Sequence, residues 1–126
     1  DVAPSRGLGD VYKRQKIHTY LSSSGTDLIM EYINALTIEE QVDGLAVLAY
    51  MEKGEFEKVL SKRWDKKVYE VYFRRNNRIF YVTADRDNIY LLHVCRKQKN
   101  KTERVDKNIV LARARELGRF HGRKIV

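Results

Sequence analysis

Lys16 to Leu21 reads Lys-Ile-His-Thr-Tyr-Leu, an alternation that predicts a short strand. Ser22-Ser23-Ser24-Gly25 follows as a loop. Ser24 and Asp27 have capping-box spacing. Leu28, Ile29, Tyr32, Ile33 and Leu36 then recur at helical intervals, predicting a helix over about 26–35. Thr37-Ile38-Glu39-Glu40 forms a second capping box: Thr37 can accept from the amide three residues on while Glu40 reaches back. Val42, Leu45, Ala46, Leu48 and Ala49 mark the helix that follows, ending near Gly54. Helices joined this tightly predict an antiparallel hairpin with one apolar side, which a sheet would cover.

Lys67 to Arg74 is rich in Val, Tyr and Phe and predicts a strand. Arg75-Asn76-Asn77-Arg78 is a turn signal, since Asn tolerates positive φ. Ile79–Thr83 is the next strand and Asp85-Arg86-Asp87-Asn88 the next turn. Ile89–Val94 is a third strand, whose Tyr90-Leu91-Leu92 run lacks alternation, as in a central strand covered on both faces. The polar stretch Arg96–Arg104 leads into a last helix from about Glu103, carrying Val105, Ile109, Val110, Ala112 and Leu117, with Gly118 as a candidate C-cap. The expected class is therefore α+β: an N-terminal strand, a helical hairpin, a three-stranded antiparallel meander and a C-terminal helix packed on a single sheet.

A length of 126 residues predicts one domain. Residues 1–15 show no hydrophobic period and hold the only proline, Pro4; Gly9-Asp10-Val11-Tyr12-Lys13-Arg14-Gln15 resembles the translation of a sequencing-library adapter. Residues 1–15 are accordingly expected to be non-native or disordered, with a single domain over 16–126 beginning at or just before Lys16. No apolar run approaches the ~18 residues a membrane span requires, and no charged segment followed by an apolar one opens the chain as a secretory signal would. Cys95 is the only cysteine, which excludes an intrachain disulfide framework and four-cysteine zinc sites, and suits a cytoplasmic setting.

The net charge of +8 favours polyanionic partners without choosing among RNA, DNA, an anionic surface or an acidic protein. No phosphate-binding Gly-rich loop, helical His pair or Gly-flanked Ser nucleophile is present. His18, His93 and His121 lie far apart, so a metal site would need long-range convergence and none is expected; nor is any cofactor. What remains is a cationic set around the sheet. Lys66, Lys67, Glu70 and Arg74 belong to the first meander strand and Arg78 opens the second. His93 and Lys97, four residues apart, would share a face of an uninterrupted strand. Arg96, Lys99 and Lys101 follow, with Tyr69, Tyr72 and Tyr81 interleaved. Cations for phosphate and rings for bases suit single-stranded RNA. The same composition also describes a solvated sheet surface.

The ordered pattern is more specific than its parts. Val68-Tyr69-Glu70-Val71-Tyr72-Phe73, Arg78-Ile79-Phe80-Tyr81, and Leu91-Leu92-His93 followed by Lys97, Lys101 and Thr102 resemble the RelE/HigB superfamily of toxin ribonucleases, in particular its phage-derived Gp49-like branch. Ala112 and Arg115 fit that branch's last helix, and the likeness runs from about Lys16 to Leu117. It departs at Tyr72, where the branch commonly carries Arg, and at Glu103, where it carries Pro; Arg74 and Arg96 are candidates to supply the missing cation. The resemblance implies a RelE-like fold and the toxin of a type II toxin–antitoxin system. It implies an mRNA endoribonuclease (mRNA interferase) that works without metal on translating ribosomes, inhibits translation and is neutralised by a helix-turn-helix antitoxin.

The chemistry implied is attack by the RNA 2′-hydroxyl on the adjacent phosphate. Arg78 is the first candidate for the phosphate clamp, because its planar fork binds two oxygens. Lys97 and Lys101 add positive potential, and a lysine crowded by cations gives up its proton more readily, so either is a candidate acid or base. His93 is another, since imidazole titrates near neutrality. Glu70 is a candidate base or the partner that orients Arg78. Lys66, Lys67, Tyr72, Arg74, Tyr81, Arg96 and Lys99 are candidate RNA contacts. Each has a structural counterpart: His93 as a buried, hydrogen-bonded strand residue, Tyr81 as core, and Thr102 as a cap of the last helix. Two other functions compete: a non-catalytic module for RNA or an acidic protein, and a decayed toxin that keeps only its antitoxin. No recognition-helix pattern supports DNA binding by this chain.

Overall fold

The computed structural model describes residues 14–97 and 102–126. Strand β1 (Lys16–Thr19) is followed by helices α1 (Leu28–Asn34) and α2 (Ile38–Glu52), a short 3-10 turn (Phe56–Lys58), strands β2 (Leu60–Asp65), β3 (Val68–Phe73), β4 (Asn77–Thr83) and β5 (Asn88–Arg96), and helix α3 (Arg104–His121). The five strands form one sheet in the order β1-β5-β4-β3-β2. β1 lies parallel to β5 and the other pairs are antiparallel. The expected α+β class is present, with one correction: the meander has a fourth strand, β2. Only Leu60 and Trp64 are apolar in β2, and Leu60 is exposed at the sheet edge, so no alternation marks it. No helix among the described residues is long and apolar enough to cross a membrane.

Both helix starts follow from local chemistry. Asp27 caps α1, its carboxylate accepting from the Met30 amide at 3.0 Å, in place of the Ser24 box. Thr37 caps α2, accepting from the Glu40 amide at 3.3 Å. Glu40 does not return to the cap backbone: it accepts from the Thr37 hydroxyl at 2.9 Å and turns its other oxygen to the sheet. The last helix passes through Gly118 and ends at Gly122, whose φ of 69° is readily adopted only without a Cβ. Gly118 instead lies where the chain folds back, with Arg123 carbonyl oxygen 2.5 Å from where a Cβ would stand.

One face of the sheet packs on α1 and α2 through Val71, Phe73, Ile79, Tyr81, Leu91 and Val94 against Ile29, Ile33 and Met51. The other packs on α3 through Val68, Phe80, Val82 and Leu92 against Val110 and Ala114. Burying each such aliphatic side chain stabilises the fold by about 1.5–3 kcal/mol. Helices on both faces explain why β5, central between β1 and β4, lacks alternation.

Two irregularities set what each face displays. In β5, Phe80 pairs with His93 while Tyr81 pairs with Leu91, so Leu92 is one residue too many. Leu92 and His93 therefore both face α3, and from there the parity of β5 is inverted. In β2, Trp64 is likewise passed over between the pairs of Arg63 and Asp65. It packs on Phe80 with ring centroids 5.2 Å apart.

Candidate functional site

Beyond the first turn of α3, the face it covers carries a polar cluster. Glu70 on β3 and Arg78 on β4 are both buried, and form an ion pair of 3.0 Å. The same Arg78 nitrogen donates to Thr102 Oγ1 at 2.8 Å, and Trp64 Nε1 donates to that oxygen at 2.9 Å. Thr102 thus ties β2 and β4 to the approach of α3; it is not the cap, which falls at Glu103 without a side-chain bond. The Arg78 guanidinium lies 5.4 Å from the Phe80 ring centre and 5.9 Å from that of Tyr72, and its Nε is buried without a partner among the described residues.

Tyr72 stands over this pair and is half-buried. Its hydroxyl donates to Glu70 Oε1 at 2.7 Å. Lys62 and Lys97 bracket its ring with ammonium groups 5.5 and 5.2 Å from the centre, and Lys97 Nζ approaches the hydroxyl at 3.5 Å. Burial, reinforced by the bond to Glu70, raises the phenol above its ordinary value, and Lys62 works against this. The group is a neutral hydroxyl at physiological pH, held between a carboxylate and two ammonium groups.

His93 shares this face, as its four-residue spacing from Lys97 predicts, but in a separate network. Its Nε2 bonds Asp106 Oδ1 on α3 at 2.8 Å, and Arg113 approaches its Nδ1 at 3.5 Å. Arginine can only donate, so Nδ1 is the acceptor and Nε2 carries the proton given to Asp106. The ring stacks near Phe80 at 6.3 Å. Burial lowers its pKa, with Asp106 opposing the shift.

The other candidates lie elsewhere. Lys66 and Lys67 form the exposed turn between β2 and β3, where Lys66 adopts a φ of 51°. That is the end of β3 away from Tyr72. Arg74 turns to α2, with Nε 2.8 Å from Asp43. Arg96 also points to the α1–α2 side, where it meets Glu40 at 2.9 Å. Tyr81 is buried on that side and shares a 2.5 Å hydrogen bond with Ser61. Lys99 and Lys101 lie outside the described residues.

Sequence reasoning missed Lys62 and Trp64, which sit on the unpredicted strand. It also missed the network below Arg96. Asn77, read as part of a turn, is buried and donates to Glu40 at 2.7 Å and to Arg74 carbonyl oxygen at 2.5 Å, while accepting from the Tyr32 hydroxyl at 2.6 Å. Hydrogen bonds from Asn77, then Thr37 and Arg96, overcome desolvation and hold the Glu40 carboxyl down to about 2. This network fixes α2 to the β3–β4 turn and leaves Glu40 no part in the cluster on the opposite face.

The family described as phage derived protein Gp49-like matches residues 31–115. That segment runs from α1 through the meander to the middle of α3 and includes Glu70, Tyr72, Arg78, His93 and Lys97. No curated protein matches the chain. With the family's match spanning most of the sequence and the sheet and helices in place, the chain belongs to the phage-derived Gp49-like family of the RelE/HigB-like toxin superfamily.

Proposed function

We propose that this protein is the toxin of a type II toxin–antitoxin system, an endoribonuclease that cuts mRNA on the translating ribosome, without metal, by 2′-hydroxyl attack. The observation that carries the reading is the Tyr72 cluster: a neutral phenol bonded to a buried carboxylate and flanked by Lys62 and Lys97. It stands on a sheet face of a toxin-superfamily fold.

Roles follow from access. Lys97 and Lys62 are placed to contact the non-bridging phosphate oxygens, where negative charge grows in the transition state. Glu70 is too buried to touch RNA, so its route to the substrate is through Tyr72. In this reading the 2′-hydroxyl gives its proton to the phenol oxygen as the phenol proton passes to Glu70. The 2′-oxygen bonds phosphorus, and the 5′-oxygen departs with a proton from Lys97. The products are a 2′,3′-cyclic phosphate and a 5′-hydroxyl. Arg78 serves by locking Glu70 and Thr102 rather than by gripping phosphate. Lys101 and Lys99, by their place in the sequence, extend the cationic tract.

A helix-turn-helix antitoxin is the partner in this reading. The exposed apolar residues Ile38, Val42 and Leu45 recur along α2, a surface of the kind protein partners cover. The burial of Arg78 favours a second reading, in which the same face binds RNA or an acidic protein without cutting.

Primer extension on mRNA from a translating extract separates the two. The protein should produce discrete, codon-spaced 5′ ends, and Tyr72→Phe should cut about 10²-fold or more slowly while retaining RNA binding. Bound but uncut mRNA with the folded wild-type protein would favour the second reading.

A further inference from the structure

Sequence spacing argues against a metal site because the three histidines are scattered. The fold instead brings one of them to other ligand types. His93 and Cys95 are two residues apart on β5 and, past the extra residue Leu92, both face α3. Asp106 descends from the first turn of α3. One ligand atom from each of the three lies within 4.8 Å of the others. We propose that His93, Cys95 and Asp106 form a binding site for a thiophilic divalent cation of the zinc class.

The donor set is one nitrogen, one sulfur and one oxygen. It suits a borderline-soft ion such as zinc or cobalt, not magnesium or calcium, which take oxygen ligands. Ligand bonds of about 2.0–2.3 Å to a single ion require the 2.8 Å His93–Asp106 contact to open and the wider separations, up to 4.8 Å, to close. The residues are partly accessible, and Cys95 and Asp106 line an open cavity of about 530 Å³ between α1 and β5, so an ion has an approach and solvent can complete its coordination. Burial holds Cys95 as a neutral thiol, so the ion must displace its proton to solvent; the resulting thiolate and the Asp106 carboxylate together neutralise a divalent charge.

Arg113 opposes the site, since ligation through Nε2 would move the imidazole proton to Nδ1 and face it toward that guanidinium. The contact there is only 3.5 Å, and Arg113 has other anchors in the Leu92 carbonyl at 2.8 Å and the Tyr20 ring at 4.2 Å. Arg78 and Arg96 are also close in sequence register to Cys95, but Arg78 is paired with Glu70 and Arg96 with Glu40. A bound ion would staple the start of α3 to β5. Its role would be to hold that helix and not to enter the cleavage step.

Cobalt(II) titration of the metal-free full chain tests this by absorption. The expected result is a thiolate-to-cobalt charge-transfer band saturating at one equivalent, displaced by zinc. Cys95→Ser should abolish the band, and Asp106→Asn and His93→Gln should each weaken cobalt binding at least tenfold. Circular dichroism verifies that each variant is folded, and Asp106→Asn, on the helix surface side of the site, keeps the test usable if Cys95→Ser unfolds. Folded wild-type protein without the band, or a band with undiminished affinity in both Asp106→Asn and His93→Gln, would overturn the site. Neither outcome depends on RNA cleavage.

Discussion

Removing the Arg78 guanidinium, as in Arg78→Met, should be among the most damaging single changes on the α3-covered face. The substitution keeps an unbranched apolar stem but deletes a 3.0 Å ion pair to Glu70 and a 2.8 Å bond to Thr102. Thr102 retains Trp64 as a donor, so its loss is small. Glu70 is the costly remnant: its side chain is 4% exposed, and among the described residues the Tyr72 hydroxyl alone would remain hydrogen-bonded to it. Breaking a buried pair from one side costs about 3–5 kcal/mol. With an unfolding entropy of about 2.1 cal/mol/K per residue, a chain of 126 residues loses roughly 4 °C of Tm per kcal/mol, so a fall of roughly 12–20 °C is expected. Urea denaturation of Arg78→Met, Glu70→Gln and the double variant, at matched m-values, measures the coupling. The double variant, with no stranded charge, should recover at least 1–2 kcal/mol relative to the sum of the singles. Full additivity, or a loss below about 1 kcal/mol for Arg78→Met, would refute the account of Arg78 as an internal strut.

Glu40→Gln should alter the acid limb of stability. The folded carboxyl titrates at about 2 against an ordinary 4.5, so its contribution is fully present above 4.5 and is lost as pH falls toward 2. Tm measured across that window should slope less in the variant than in the wild type; parallel slopes would remove Glu40 from the acid response. Gly118→Ala should destabilise despite alanine's better helix propensity, because the new methyl would meet the Arg123 carbonyl oxygen at 2.5 Å. A loss of about 1–3 kcal/mol by urea denaturation is expected, and a stabilised variant would show that the C-terminal return moves freely.

The legible parts of the fold were those in which a local rule and burial agree. Thr37 and Glu40 announced α2, and the Val/Tyr/Phe run of β3 announced a strand. β2 was hidden because an exposed edge strand has little to alternate, and its turn uses Lys66 at positive φ without the usual Gly or Asn. Arg78, Glu70, Tyr72 and Lys97 were legible as a set because they recur at even spacing on neighbouring strands. Their depth was not, since burial of Arg78 depends on Trp64 and Thr102, distant in sequence. Arg96 and Tyr81 shared the composition of the set, but pleat parity sent them to the other side; Arg74 has the parity of Tyr72 but lies in the turn past the end of β3, which directs it to Asp43 on α2.

The supernumerary Leu92 acts on β5 as a phase shift. Up to that residue the strand is read in one parity, and after it in the other. Asp106 therefore finds His93, and Tyr72 finds Lys97, while Arg96 is delivered to Glu40 on the reverse side. Without the shift, Val94 and Arg96 would be displayed where His93, Cys95 and Lys97 now stand. A regular strand that kept Leu92 would thus exchange the polar inventories of the two faces without altering any of the residues that compose them, whereas a deletion at 92 would join Leu91 to His93 in the register both already hold, so the pairing of this strand is as much a determinant of its chemistry as its sequence.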